Sequence, residues 1–169
     1  MGVNIIMIMI LLIIILSITI IVLILTNYSR KVAIKGVQIA EKNENKFKKY
    51  YSLTNRWIIN KNENKGIADY LEKNNINNIA IYGIGELGTR LYEEIKESQI
   101  NVFCFIDNNT NKKEYENIKI FNSQEVGKLV DIDIIIITPI YDYNLIESIL
   151  LNKNDKLNII SLEKLVYKM

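Results

Sequence analysis

From Ile5 to Leu25 the chain reads IIMIMILLIIILSITIIVLIL, an apolar run interrupted only by Ser17 and Thr19. As a helix rising about 1.5 Å per residue it is roughly 32 Å long, close to the thickness of a bilayer's hydrocarbon core. No basic residue precedes the run and no small-residue cleavage site closes it, which separates it from a signal peptide. The pattern predicts a transmembrane helix within residues 1–29. The polar segment 30–65 keeps helical spacing, with Phe47, Tyr50, Tyr51, Thr54, Trp57 and Ile58 expected on one face of a juxtamembrane helix ending near Asn60. Trp57 stands far beyond the apolar run, which favours packing against the domain that follows over a place among lipid headgroups.

Residues 66–169 change period repeatedly. GIADYLEKNN predicts a short helix, INNIAIYG a strand, and ELGTRLYEEIKES a helix with Leu87, Leu91 and Ile95 in line. NVFCFID is a second strand, NTNKKEYEN a polar loop and IKIF a short strand; Ser123 is the expected N-cap of a brief helix, QEVGKLV. The β-branched run Ile134–Thr138, apolar on both faces, reads as a central parallel strand stopped by Pro139. DYNLIESILLN predicts a helix with Leu145 and Ile149 on its apolar side, KLNII a last strand, and SLEKLVYKM a helix capped by Ser161. Alternation of this kind builds right-handed βαβ units and a parallel sheet covered on both faces.

Charge divides the polar part of the chain. Residues 30–65 carry ten basic against three acidic side chains, and residues 66–169 carry eleven against sixteen. Basic residues after the apolar run, and none before it, place the N-terminus outside and the C-terminal part in the cytoplasm of a single-pass protein of the inner (plasma) membrane. The basic segment suits anionic lipids, and the acidic remainder argues against nucleic acid. The chain has one cysteine, Cys104, and no histidine. No disulfide and no metal site are expected, and the commonest general base is missing. Cys104 reads as a small core residue.

The chemistry-bearing motif is YGIGELG, a GxGxxG turn between strand and helix. Gly83 supplies the tight turn, Gly85 lets backbone approach a phosphate, and Gly88 lets the helix pack on the strand, with Ile84 between the first two. Asp107, at the end of the second strand, is placed to accept hydrogen bonds from a ribose, or is simple turn chemistry. Glu86 occupies the positive end of the helix, where it either starts the helix well or disfavours a tightly held pyrophosphate. Thr138 and Pro139 line the expected crevice opposite the turn, with Tyr141 nearby. Arg90 either reaches an anion at the rim or lies on a solvated face beside Glu94. The spacings Tyr92–Lys96 and Tyr115–Lys119 are read as chance. The fold class expected is α/β: an N-terminal transmembrane helix followed by a small Rossmann-like parallel sheet of about five strands with helices on both faces, the latter in residues 66–169.

IAIYGIGELGTRLYEEI, VFCFID, IKIF and DIIIITP together resemble the Rossmann-like, CoA-binding-like domain of bacterial membrane-bound polysaccharide biosynthesis proteins. These include nucleotide-sugar epimerase/dehydratases, sugar-phosphate transferases and the N-terminal domains of sugar O-acetyltransferases. The resemblance implies a nucleotide-sugar ligand at Gly83, Gly85, Glu86, Gly88 and Asp107. The chain departs from those relatives in lacking a following catalytic domain, and in NKKEYENIKIF, where they carry a loop ending in a Gly-x-Pro-Val turn.

The leading expectation is thus a membrane-anchored, cytoplasmic nucleotide or nucleotide-sugar binding module, accessory or regulatory in cell-surface polysaccharide biosynthesis. Its partner is expected to be an enzyme of that biosynthesis or a second copy of the chain. Two alternatives stay open: a small NAD(P)-dependent oxidoreductase or epimerase-like enzyme, and a ligand-free scaffold that docks a membrane enzyme. No catalytic residues are evident.

Overall fold

The computed structural model describes residues 2–169, with side chains from Asn4 onward; Met1, the first residue of the expected anchor, lies outside the described residues. The chain divides into two units, Met1–Phe47 and Lys48–Met169. A single helix, α1 (Gly2–Asn62), runs through the first and contributes its last turns to the second.

In the first unit every apolar side chain from Ile5 to Leu25 is exposed, and an 18-residue window of α1 reaches a mean hydropathy of 3.6. The helix is therefore long and apolar enough to cross a membrane. The two hydroxyls within the apolar run are satisfied internally: Ser17 and Thr19 each donate to the carbonyl three residues earlier at 2.8 Å. Such back-bonding removes a donor that would be costly to leave open in apolar surroundings.

The second unit is a mixed α/β structure. After α1 come α2 (Ile67–Lys73), β1 (Asn78–Tyr82), α3 (Glu86–Ile95), β2 (Asn101–Ile106), β3 (Glu114–Tyr115) and β4 (Ile118–Phe121). A 3-10 turn, Ser123–Lys128, leads to β5 (Ile134–Ile137), followed by α4 (Tyr143–Leu151), β6 (Ile159–Ser161) and α5 (Leu162–Lys168). The six strands lie in the order β3-β4-β2-β1-β5-β6, parallel throughout except for β3, which runs antiparallel to β4. The chain steps outward from β1 through β2 to β4, then returns across β1 to β5 and β6. The ladder between β1 and β2 skips Phe103, since Ile79 faces Val102 and Ala80 faces Cys104.

Alternation along β5 sorts the core into two layers. Ile134 and Ile136 join Leu71, Leu91, Ile95 and Leu165 on one face, whereas Ile135 and Ile137 join Val126, Tyr143, Ile146 and Leu150 on the other. Burial of both sets of β5 residues is what a central parallel strand requires.

Four expectations are corrected. The sheet has six strands, not five, because part of the polar loop folds as a β3–β4 hairpin: Glu116 and Asn117 both take positive φ, 49° and 63°, as a two-residue hairpin turn demands. The hairpin is secured by Tyr115, whose ring meets Tyr92 and Phe105 edge-on at 5.8 and 5.6 Å. The two tyrosines of the Tyr-x-x-x-Lys spacings are thus packing residues. On α4 the buried side chains are Tyr143, Ile146 and Leu150, while Leu145 and Ile149 face outward. Asn122, not Ser123, caps the 3-10 turn by accepting from Gln124 N, and Ser123 is buried and bonded to Asn108. Ser161 does cap α5, accepting from Lys164 N at 3.1 Å.

The fourth correction concerns α1. Phe47, Tyr51 and Ile58 are exposed, and the face that enters the second unit is Tyr50, Leu53, Trp57 and Asn60. Asn60 donates from Nδ2 to the Val166 carbonyl at 2.7 Å. Trp57 Nε1 donates to Glu94 Oε2 at 2.7 Å, while Glu94 Oε1 accepts Ile67 N at 2.9 Å and Lys61 Nζ stands 3.3 Å away. One carboxylate of α3, with a side chain only 8% exposed, therefore fastens α1 and the start of α2. Packing of Trp57 against the domain, rather than in a headgroup layer, is what the structure shows.

This makes residues 48–62 part of the folded unit. Leu53→Ala in the full chain is expected to destabilise it by about 2–5 kcal/mol, because Leu53 is wholly buried. Ile58→Ala, on the outward face, is expected to change stability by less than about 0.5 kcal/mol. Denaturant unfolding in detergent distinguishes the two.

Candidate functional site

β1 ends at Tyr82 and the chain enters the glycine turn. Gly83 has φ +93°, a left-handed conformation that a side chain would strain, and a Cβ there would stand 2.8 Å from Thr138 Oγ1. Gly88 sits one turn into α3, where a Cβ would lie 1.9 Å from the Gly83 carbonyl oxygen. Only glycine lets helix and strand approach so closely. Gly85 is different: it precedes α3 with an ordinary φ of −76°, and a Cβ there would meet nothing within 4 Å. It borders open space.

Two neighbouring strands hold the turn. Asp107, just past β2, accepts Ile84 N through Oδ2 at 2.9 Å and Asn109 N through Oδ1 at 2.7 Å. Thr138, just past β5, donates from Oγ1 to the Tyr82 carbonyl at 2.9 Å and lies 3.3 Å from that of Gly83. The ends of β2, β1 and β5 thus converge on the GxGxxG segment. Burial, with the Asp107 carboxylate as a lesser cause, raises the Tyr82 phenol above its ordinary range.

A cavity of about 520 Å³ opens over this turn. Gly83, Gly85, Glu86, Asp107, Thr138 and Pro139 line it, joined by Leu87 and by Tyr50 and Thr54 of α1. The volume lies within the range of about 300–1,000 Å³ usual for small-molecule sites. Its position is the crevice outside the carboxyl ends of β1 and β5, where the strand order reverses and open parallel sheets bind their ligands. The first N–H groups of α3 have no partner within the helix, so its start offers donors to an anion or a polar ligand.

Of the residues singled out in the sequence, six meet at the cavity. Ile84 does not line it, since its N–H is held by Asp107 and its side chain packs on the core. Gly88 is buried at the helix–strand contact. Tyr141 is not among the lining residues, and Arg90 borders an adjacent hollow of about 310 Å³ with Trp57, Glu93 and Glu94. Tyr50 and Thr54 were not read as site residues. Their one signal was the helical period that set them, with Trp57, on a face of the segment after the apolar run.

Residues 75–160, slightly more than half of the chain, match the C2185-like, N-terminal family. The chain belongs to that family. In this C2185-like chain the glycine turn, Asp107, Thr138 and Pro139 all fall inside the matched stretch, while Tyr50 and Thr54 precede it. Among curated proteins none matches the chain.

Cys104 has no part in the site. It is fully buried in the layer against α4, and burial pushes its thiol up to about 12. Because only the thiolate is nucleophilic, maleimide labelling of the folded protein is expected to be negligible at pH 8 and to appear only as denaturant opens the core. A second expectation separates the glycines. Gly88→Ala should cost about 3 kcal/mol, since it drives a methyl into the Gly83 carbonyl, whereas Gly85→Ala should stay within about 0.5 kcal/mol of the wild type in thermal unfolding.

Proposed function

We propose that the protein is a membrane-anchored module that binds a nucleotide or nucleotide sugar at the glycine turn, on the cytoplasmic side of the inner membrane. We further propose that its second unit is a Rossmann-like domain serving an accessory or regulatory role in cell-surface polysaccharide assembly. The observation that carries this reading is the 520 Å³ cavity over Gly83, Gly85 and Asp107, at the reversal of strand order. Taken in chain order, the five parallel strands stand as third, second, first, fourth and fifth, the order of a doubly wound nucleotide-binding sheet up to its fifth strand. In support of the anchor stand the exposed apolar run of α1 and the basic residues that follow it, which by the positive-inside rule favour a cytoplasmic domain.

The lining chemistry suits a nucleotide more than a bare anion. Asp107 offers acceptors to ribose or sugar hydroxyls, the start of α3 offers donors to phosphate, and Thr54 and Thr138 add hydroxyls. The oxidoreductase alternative asks for an acid or base facing the crevice, and the titratable lining groups are Tyr50, Glu86 and Asp107. Of these, Asp107 is engaged by two backbone N–H groups, those of Ile84 and Asn109, which gives it a role in holding the turn.

The test is calorimetric titration of the full chain in lipid nanodiscs with UDP, UDP-N-acetylglucosamine, NAD and NADP. Saturable binding of a uridine nucleotide is expected, weakened about tenfold or more in Asp107→Asn, which removes the carboxylate but keeps an acceptor oxygen. Absence of binding to all four overturns the reading, and binding of NAD alone replaces it with the oxidoreductase.

A further inference from the structure

We propose that Tyr50, on the last turns of α1, is the platform on which the ligand's heterocyclic base stacks, so that this helix completes the binding site. The proposal rests on the nucleotide reading above and adds to it the base-recognition element and a link to α1. A nucleotide has three kinds of surface to satisfy. Phosphate is served by the N–H groups that begin α3, and sugar hydroxyls by Asp107. The base needs a flat apolar surface, and Tyr50 is the sole aromatic ring among the described residues that line the cavity.

The ring is also held in place. It packs against the core layer that contains Leu53 and Trp57, and burial, followed by the Asp142 carboxylate, raises its phenol above the ordinary range. The backbone beneath it is fixed as well. Leu53 and Trp57 are buried, Glu94 ties down Trp57, and Lys49 Nζ reaches the Ile140 carbonyl at 3.2 Å and Glu163 Oε2 at 2.9 Å. A preorganised ring loses little freedom on binding, which favours a stacking role.

A linkage follows. If the ligand contacts Tyr50, it stabilises the docking of residues 48–62 on the domain, and docking must strengthen ligand binding by the same factor. The segment so stabilised is the C-terminal end of α1, the helix whose N-terminal part is the apolar run.

The experiment uses the full chain in nanodiscs with UDP-N-acetylglucosamine as probe. Tyr50→Ala, and Tyr50→Leu, which keeps apolar bulk against the core without a ring, are expected to weaken binding about tenfold. Tyr50→Phe should bind as the wild type, as should Tyr51→Ala, whose side chain is 75% exposed on the same helix. Hydrogen exchange of residues 48–62 should slow on adding ligand to the wild type and not to Tyr50→Leu. Should Tyr50→Ala fail to fold, Tyr50→Leu decides. Binding by Tyr50→Leu within twofold of the wild type overturns this proposal while leaving the site reading in place; a wild type that binds no probe nucleotide overturns both.

Discussion

The contact on which the rest of the second unit depends is the seating of α3 against the end of β1. Gly88 lies so close to the Gly83 carbonyl that even a methyl group could not be interposed. Because the helix starts that near the strand, its first N–H groups open beside the strand ends rather than out in solvent. Thr138 and Asp107 then bind the same short turn from β5 and β2, so three parallel strands finish at one point. The cavity is the space this convergence leaves open, with the glycine turn, Asp107, Thr138 and Pro139 on the strand side and Tyr50 and Thr54 on the side of α1.

The second constraint is the Glu94 carboxylate. It lies on the helix that follows the turn and accepts from Trp57 on α1 and from the first backbone N–H of α2. Charge-assisted bonds of this kind are about twice as strong as neutral ones, and their burial makes the loss of any partner costly. Through Glu94 the wall that carries Tyr50 and Thr54 is joined to the helix whose start forms the floor. The site and the last turns of α1 therefore belong to one packed structure.

How much of this is legible in the sequence depends on how local each determinant is. The glycine turn, the acid at the end of β2 and the Thr-Pro pair after β5 lie next to strong strand patterns, and they meet because the topology brings strand ends together. The β3–β4 hairpin is not legible because its turn uses Glu116 and Asn117 in place of glycine, and its outer strand is two residues long. The buried face of α1 is misread because aromatic residues dominate a helical count, whereas Asn60 is buried by a bond to Val166, more than a hundred residues later. On α4 apolar residues occupy two faces, and only the position of β5 beneath the helix selects Ile146 and Leu150 over Leu145 and Ile149. Tyr50 escapes for a similar reason, since it enters the cavity from far outside the motif.

The electrostatics of the cavity constrain how any ligand is recognised there. Its described lining contains two carboxylates, Glu86 and Asp107, and no lysine or arginine. Glu86 is exposed, so water and salt screen its charge over roughly 8 Å at physiological ionic strength, and its repulsion of a phosphate is correspondingly weak. Asp107 already accepts two backbone N–H groups, which leave its outer lone pairs for hydroxyl donors. An anionic group at this site would have to rely on the oriented N–H groups of α3 rather than on ion pairing. Such recognition is short-ranged and directional, and it discriminates by the placement of hydroxyl and phosphate groups more than by net charge. On the proposed reading, that is what separates a nucleotide sugar from the many other anions of a cell, and the Tyr50 ring adds the base as a second criterion.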